Sequence, residues 1–389
     1  MEVVSEKMTY SVYQHWDPLK VCVVGRSYPP EFYSWITVSH VRELFERIAI
    51  ETEEDYQNII QKLESFGVTV LRPELPVNSF IDGKFIPPPM TPRDYTVMIG
   101  DTFYENYTFP FQKAYKNVKD PTWPACNSWE EFATIPAWMQ DECNNVFWLS
   151  TYRQNNTVYD NIFKHIQNQG NKIKSHQYHD PELINGAMIS RIGKDLYFGT
   201  MSYDQDSTEF KNLIAQEFPN TRNHIINTGG HGDGTYCPVT PGLIISLEDV
   251  PTYADTFPGW EVVYLPGQSW DAIRPFRELK TKNKGKWWIP GFEKDNDVIN
   301  VVEQWLGHWT GYVEETVFDV NMLIIDPKNV IVFNYNKQVF DALERYGITP
   351  HIVPFRHRYF WDGGIHCVTS DLHREGTMQD YFPERDNVR

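Results

Sequence analysis

Short runs rich in valine and isoleucine alternate along the chain with segments whose apolar residues recur every three or four positions. KVCVVG (20–25) has the length and β-branched content of a buried strand. After it, Val41, Leu44, Phe45 and Ile48 fall on one helical face, with Ser39 placed to cap it. Tyr56, Ile59, Ile60 and Leu63 make a second helical pattern, which ends at Gly67. A glycine suits the left-handed position just past a helix, and VTVL (68–71) then reads as a strand.

That unit returns near the other end. LESFGVTVLRP (63–73) and LERYGITPHIVP (343–354) share helix end, aromatic, glycine and strand in one order. NVIVFN (329–334) supplies a strand before the second copy, and KQVFDALERYG (337–347) its helix. A looser copy is EFKNLIAQEFP (209–219) followed by RNHIIN (222–227). Further strands are expected at YTVMIG (95–100), DLYFG (195–199), GLIIS (242–246), WEVVYL (260–265) and VNMLII (320–325). Three such units with strand pairs between them predict a repeated ββαβ-like module in one continuous domain over 1–389. Two stretches break the cadence: 105–150, dense in Trp, Phe and Pro, and 275–311. Both read as insertions or lids beside a site.

Composition narrows the function. Hydrophobic residues make up 41% and aromatics 15%, enough for a sizeable core, so disorder is excluded. Thirty-five Lys and Arg against 52 Asp and Glu leave a net charge of −17. Such a field disfavours nucleic acid and anionic lipid and favours small cationic ligands. No apolar run is long enough to span a membrane, and the opening residues lack the apolar core of a signal peptide, so the cytoplasm is the expected compartment. The cysteines are Cys22, Cys126, Cys143, Cys237 and Cys367, with no CxxC pair to suggest zinc or redox chemistry.

One cysteine stands apart. Cys367 follows Gly363, Gly364, Ile365 and His366, and glycines let a backbone approach a substrate closely. His231 and Asp233 alternate with Gly230, Gly232 and Gly234, and in an extended segment they point to one side. Together these suit a thiolate attacking carbon while a histidine shuttles the leaving-group proton. Asp94 and Asp233 are two carboxylates available to face a flat cation, the arrangement a guanidinium with its fork of N–H donors requires.

With these residues in place, the chain resembles the amidinotransferases of the guanidino-group-modifying superfamily. The carrying segments are HWDPLKVCVVG (15–25), PRDYTVMIG (92–100), RIGKDLYF (191–198), HGDGTYCPVTPGLIIS (231–246), VNMLIIDPKNVIV (320–332) and GGIHCVTSDLHREG (363–376). The resemblance implies an α/β fold, a five-bladed propeller of ββαβ modules with the site on a pseudo-fivefold axis. It implies transfer of the amidino group from L-arginine to a primary amine, glycine or another, through an amidino-cysteine, with release of L-ornithine. A hydrolase of the same superfamily, giving citrulline, is the alternative. By matching motifs Cys367 is the nucleophile, His231 the general acid and base, and Asp94 and Asp233 the guanidinium holders. Arg93, Glu315, Asn321 and Gly364 are further expected at the substrate site. Neither metal nor organic cofactor is required, the partners are small molecules, and relatives lead to the expectation of a homodimer.

Two departures stand out. The family's carboxylate partner for the histidine falls on Asn185, with Glu182 and Asp180 nearby as substitutes. An amide oxygen accepts the ring N–H but stabilises an imidazolium less than a carboxylate does. Val250 stands where glycine amidinotransferases have an arginine, and Glu314 and Glu315 where small hydroxyl residues are usual. The reaction type is therefore better marked than the acceptor.

Overall fold

A computed structural model describes residues 8–387 except 77–78, 82–83, 107–157, 177–185, 201–207, 229–230, 248–252, 266–273, 280–286, 307–308 and 310–318. Five three-stranded sheets carry the architecture. Each sheet is one ββαβ module: an antiparallel pair, then a helix, then a strand parallel to the second. The second module is Thr96–Ile99, Thr102–Asn106, helix Asp160–Asn168 and Lys172–His176. The third is Ile189–Ile192, Asp195–Thr200, helix Thr208–Glu217 and Arg222–Asn227. The fourth is Tyr236–Thr240, Leu243–Ser246, the short helix Tyr253–Thr256 and Glu261–Tyr264. The fifth is Leu323–Asp326, Asn329–Val332, helix Lys337–Arg345 and Thr349–Ile352.

The first module is assembled from both ends of the chain. Its opening strand is Thr369–Arg374, paired antiparallel with Leu19–Val24, which in turn runs parallel to Thr69–Leu71 beyond helix Ser39–Ser65. Every module grades from an inner strand to an outer one. Thr369–Arg374, Thr96–Ile99 and Ile189–Ile192 are buried throughout, whereas Glu261–Tyr264 and Thr349–Ile352 are exposed at both ends. Inner strands of different modules are bonded to one another: Thr96 Oγ1 donates to Ser370 Oγ at 3.2 Å, and Arg191 Nη1 to the Met98 carbonyl at 2.7 Å. Buried polar contacts thus join the inner strands of neighbouring modules.

The two helical patterns of residues 39–65 form one helix of 27 residues, with Ser39 inside it and Val38, which makes no side-chain cap, at its start. The polar run at 51–55 does not interrupt it. Asp55 is buried and accepts from Arg356 N (2.7 Å) and Nε (2.9 Å), and Thr52 accepts from Trp361 Nε1 (2.9 Å). The helix ends at Phe66 and turns through Gly67 at φ 75°, the left-handed position expected of it. The described part of 275–311 is packed: Trp287, Val298, Val302, Leu306 and Trp309 share the largest hydrophobic cluster with this helix. The 105–150 stretch lies almost wholly outside the described residues. Among the described residues no helix is long and apolar enough to cross a membrane.

Candidate active site

Cys367 sits on the loop that leads into the first module's inner strand. Helix Arg358–Trp361 stops at Asp362, which is left-handed at φ 49°, ψ 52°. The chain then passes Gly363 and Gly364 to the cysteine. Position 364 has to be glycine, because a Cβ there would lie 2.1 Å from Asn321 Oδ1. Asn321 fills that space and grips the loop. Its Oδ1 accepts from the backbone N–H of His366 (2.8 Å) and of Cys367 (3.3 Å). Its Nδ2 donates to Cys367 Sγ at 3.1 Å and to the Asp233 carbonyl at 3.2 Å.

Asp233 reaches the same thiol from the fourth module. Gly232–Gly234 is a single 3₁₀ turn. His231 and Asp233 therefore do not lie in an extended segment, as the alternating glycines suggested, although both act on Asp94. Asp233 Oδ2 lies 3.5 Å from Cys367 Sγ and accepts from His366 Nδ1 at 2.8 Å. Its Oδ1 is buried without a hydrogen-bond partner. His231 instead approaches Asp94, Nδ1 to Oδ1 3.9 Å, and both stay partly open to solvent.

The electrostatics follow from this crowding. Burial, then the charges of Asp233 and Asp94, push the Cys367 thiol well above its ordinary value. Burial likewise raises Asp94. Burial, with the Arg93 guanidinium nearby, drops His366 to about 4, so its ring is neutral near pH 7 and donates its Nδ1–H to Asp233. For Asp233 burial alone would act upward, but the hydrogen bond from His366 and the positive field of Arg93 hold it below the usual carboxylate range.

Beneath the loop lies a charged hub. Buried Asp371 accepts from Arg93 Nη1 (3.0 Å), from Arg191 Nη2 on both oxygens (2.9 Å each) and from Arg374 Nε (2.7 Å). Burial opposes its charge, and the three guanidiniums outweigh burial and hold Asp371 well below its ordinary value. Arg93, expected among the substrate contacts, is fully buried in this hub. Its Nε also donates to the His366 carbonyl at 2.7 Å, which ties the hub to the cysteine loop.

The structure thus brings together Cys367, Asp233, Asn321 and Gly364, with His231 and Asp94 adjoining each other and Arg93 behind. Asn185, Glu182, Asp180, Val250, Glu314 and Glu315 lie outside the described residues. Sequence reasoning passed over His366, Arg191, Asp371 and Arg374. Arg191 alone carried a signal, as a charged residue in a segment otherwise patterned as a buried strand. Among the described residues, the group with metal-ligand spacing is His40, Asp295 and Asp297, on the surface and apart from the cysteine. Asp295 there already caps helix Asn296–Val301.

No family model matches the chain. Glycine amidinotransferase of Xenopus laevis is 25% identical over a segment covering 51% of this chain and 40% of that enzyme's length. The Gallus gallus enzyme of the same name is 24% identical over 95% of this chain and 84% of its own. Among solved structures, inosamine-phosphate amidinotransferase from Streptomyces griseus superposes with a TM-score of 0.60 and 18% identity, covering 96% of this chain and 99% of that one. The structural likeness concerns the fold, and the sequence likeness runs almost from end to end. In sequence and in fold the chain is similar to proteins named as amidinotransferases.

Proposed function

We propose that the protein is an L-arginine:amine amidinotransferase whose five modules close into an α/β propeller around the Cys367 loop. The observation that carries the reading is the buried carboxylate of Asp233, one oxygen unpartnered and the other 3.5 Å from a cysteine sulfur. An orphaned buried acceptor calls for a donor, and a guanidinium bound there would place its central carbon within reach of the thiol. Asp94, across from it beside His231, is the second carboxylate for the same cation.

The chemistry follows from these positions. Cationic substrate offsets the two carboxylates that oppose ionisation of Cys367, and the thiol proton passes to His231. The thiolate attacks the guanidinium carbon, and His231 gives a proton to the departing δ-nitrogen as the C–N bond breaks. Ornithine leaves and the amidino group stays on sulfur. An amine then attacks that carbon, passes a proton to His231 and displaces the thiolate. The hydrolytic alternative differs only in water taking the amine's place.

Relatives are named for different acceptors, glycine and inosamine phosphate, so the acceptor here stays open. The test is mass spectrometry of protein incubated with arginine, alone and with glycine, lysine, taurine, a diamine and an amino-sugar analogue. Ornithine with an amidino-bearing amine supports the transferase. Citrulline formed without any amine overturns it in favour of the hydrolase.

A further inference from the structure

Asn321 holds the nucleophile through four contacts, and they fix which end of its amide points where. Two backbone N–H groups face one end, so that end must be oxygen; the Asp233 carbonyl faces the other, so that end must be nitrogen. The nitrogen end is also the end that meets Cys367 Sγ. Asn321 is itself buried and sits against Gly364, the one residue type that leaves it room. It has no freedom to turn the amide away.

We infer that Asn321 is a positioning residue for catalysis, which locks the cysteine loop with its oxygen and stabilises the Cys367 thiolate with its N–H. The inference rests on the reading of Cys367 as the nucleophile. The groups that face the sulfur are otherwise hostile to negative charge. Asp233 Oδ2 is the nearest, Asp94 adds to it, and His366 is neutral and engaged with Asp233. His231 lies towards Asp94, and Arg93 is behind the loop, turned to Asp371. The Gly364 backbone and the Asn321 side chain act in the other direction. A donor on sulfur strengthens when the sulfur becomes charged, because a hydrogen bond to an ion is roughly twice as strong as a neutral one.

The experiment is the pH dependence of Cys367 alkylation by iodoacetamide, followed by peptide mass spectrometry in the free enzyme. Asn321→Ala removes the donor and adds no charge. Asn321→Asp keeps the oxygen that holds the two backbone N–H groups and replaces the donor. Both are expected to move the alkylation midpoint to higher pH, Ala by about one unit, which is the order expected for one lost hydrogen bond to a charged group. Asp should move it further. A purely structural role would change melting temperature and leave the midpoint in place. An unchanged midpoint in folded Asn321→Ala overturns the inference, even if Asn321→Asp shifts, since charge alone would explain the latter. If Asn321→Ala does not fold, Asn321→Ser, too short to reach the sulfur, decides the question in the same way. Alkylation needs no turnover, so failure here is distinct from failure of the transferase reading, which the arginine incubation reports separately.

Discussion

Asp233 and His366 are bonded to each other at 2.8 Å through Oδ2 and Nδ1, and that bond leaves Asp233 Oδ1 as the free end of the carboxylate. The histidine beside Cys367 thereby sets the orientation of an acid from another module. His366→Ala should therefore impair arginine use although the ring makes no proposed contact with substrate. The expected loss in kcat/KM is about 10- to 100-fold, from a charge-assisted hydrogen bond worth roughly 1.5–3 kcal/mol. His366→Asn, which retains a donor, should recover part of it. Ornithine release at varied arginine is the measurement, and equal losses in the two variants would argue against an orienting role.

Cys367→Ser should abolish ornithine release and leave arginine binding largely intact by titration calorimetry, because both carboxylates remain. Asp233→Asn should weaken arginine use far more than Glu315→Gln, with kcat/KM as the readout. Comparable losses would argue against Asp233 as the principal guanidinium holder.

Stability should decline in mild acid. His366 titrates near 6.5 when unfolded and about 4 when folded, and burial lowers His15 well below 6.5 as well. Between those values the unfolded chain binds protons that the folded chain does not, so stability falls as pH falls from about 6.5 towards 4. Urea unfolding across that range should show the slope, and His366→Asn should flatten it.

Asp371→Asn should be among the most damaging single changes in the described protein. It leaves Arg93, Arg191 and Arg374 buried without their shared anion, a loss of about 3–5 kcal/mol. Because its folded pKa lies well below 3.8, the contribution of Asp371 is complete above that value and is lost only as pH falls beneath it. Denaturant midpoints at neutral pH check the first statement. A change within about 0.5 kcal/mol, typical of surface substitutions, would contradict it.

Much of the module was legible because its signals are local. Gly67 and Gly347 mark the same left-handed turn from helix to strand, at φ 75° and 70°. The long helix was legible only in halves, because the reason its polar middle stays helical is Arg356 and Trp361, some 300 residues away. The opening strand Thr369–Arg374 was hidden for a similar reason. Its Asp371, His373 and Arg374 look like a surface segment until Arg93 and Arg191 are brought against them. Cys367, Asp94 and Asp233 were singled out through their glycine-rich or motif settings. The His231–Asp233 geometry was missed because alternating glycines are equally compatible with a tight turn.

The sheet shared by the two ends of the chain also orders events during synthesis. A ribosome that has released residues only as far as the fifth module's last strand, Thr349–Ile352, has delivered the second to fifth modules. Helix Ser39–Ser65 then flanks a sheet still missing its innermost strand, and Asp94 and Asp233 face a gap. The strand that completes the sheet follows directly on the Cys367 loop, and the acid that neutralises Arg93 and Arg191 is on that strand. The Cys367 thiol and the strand that closes its surroundings are therefore made together, after the second to fifth modules. A nascent chain that stops at the fifth module carries neither the Cys367 thiol nor the strand behind it.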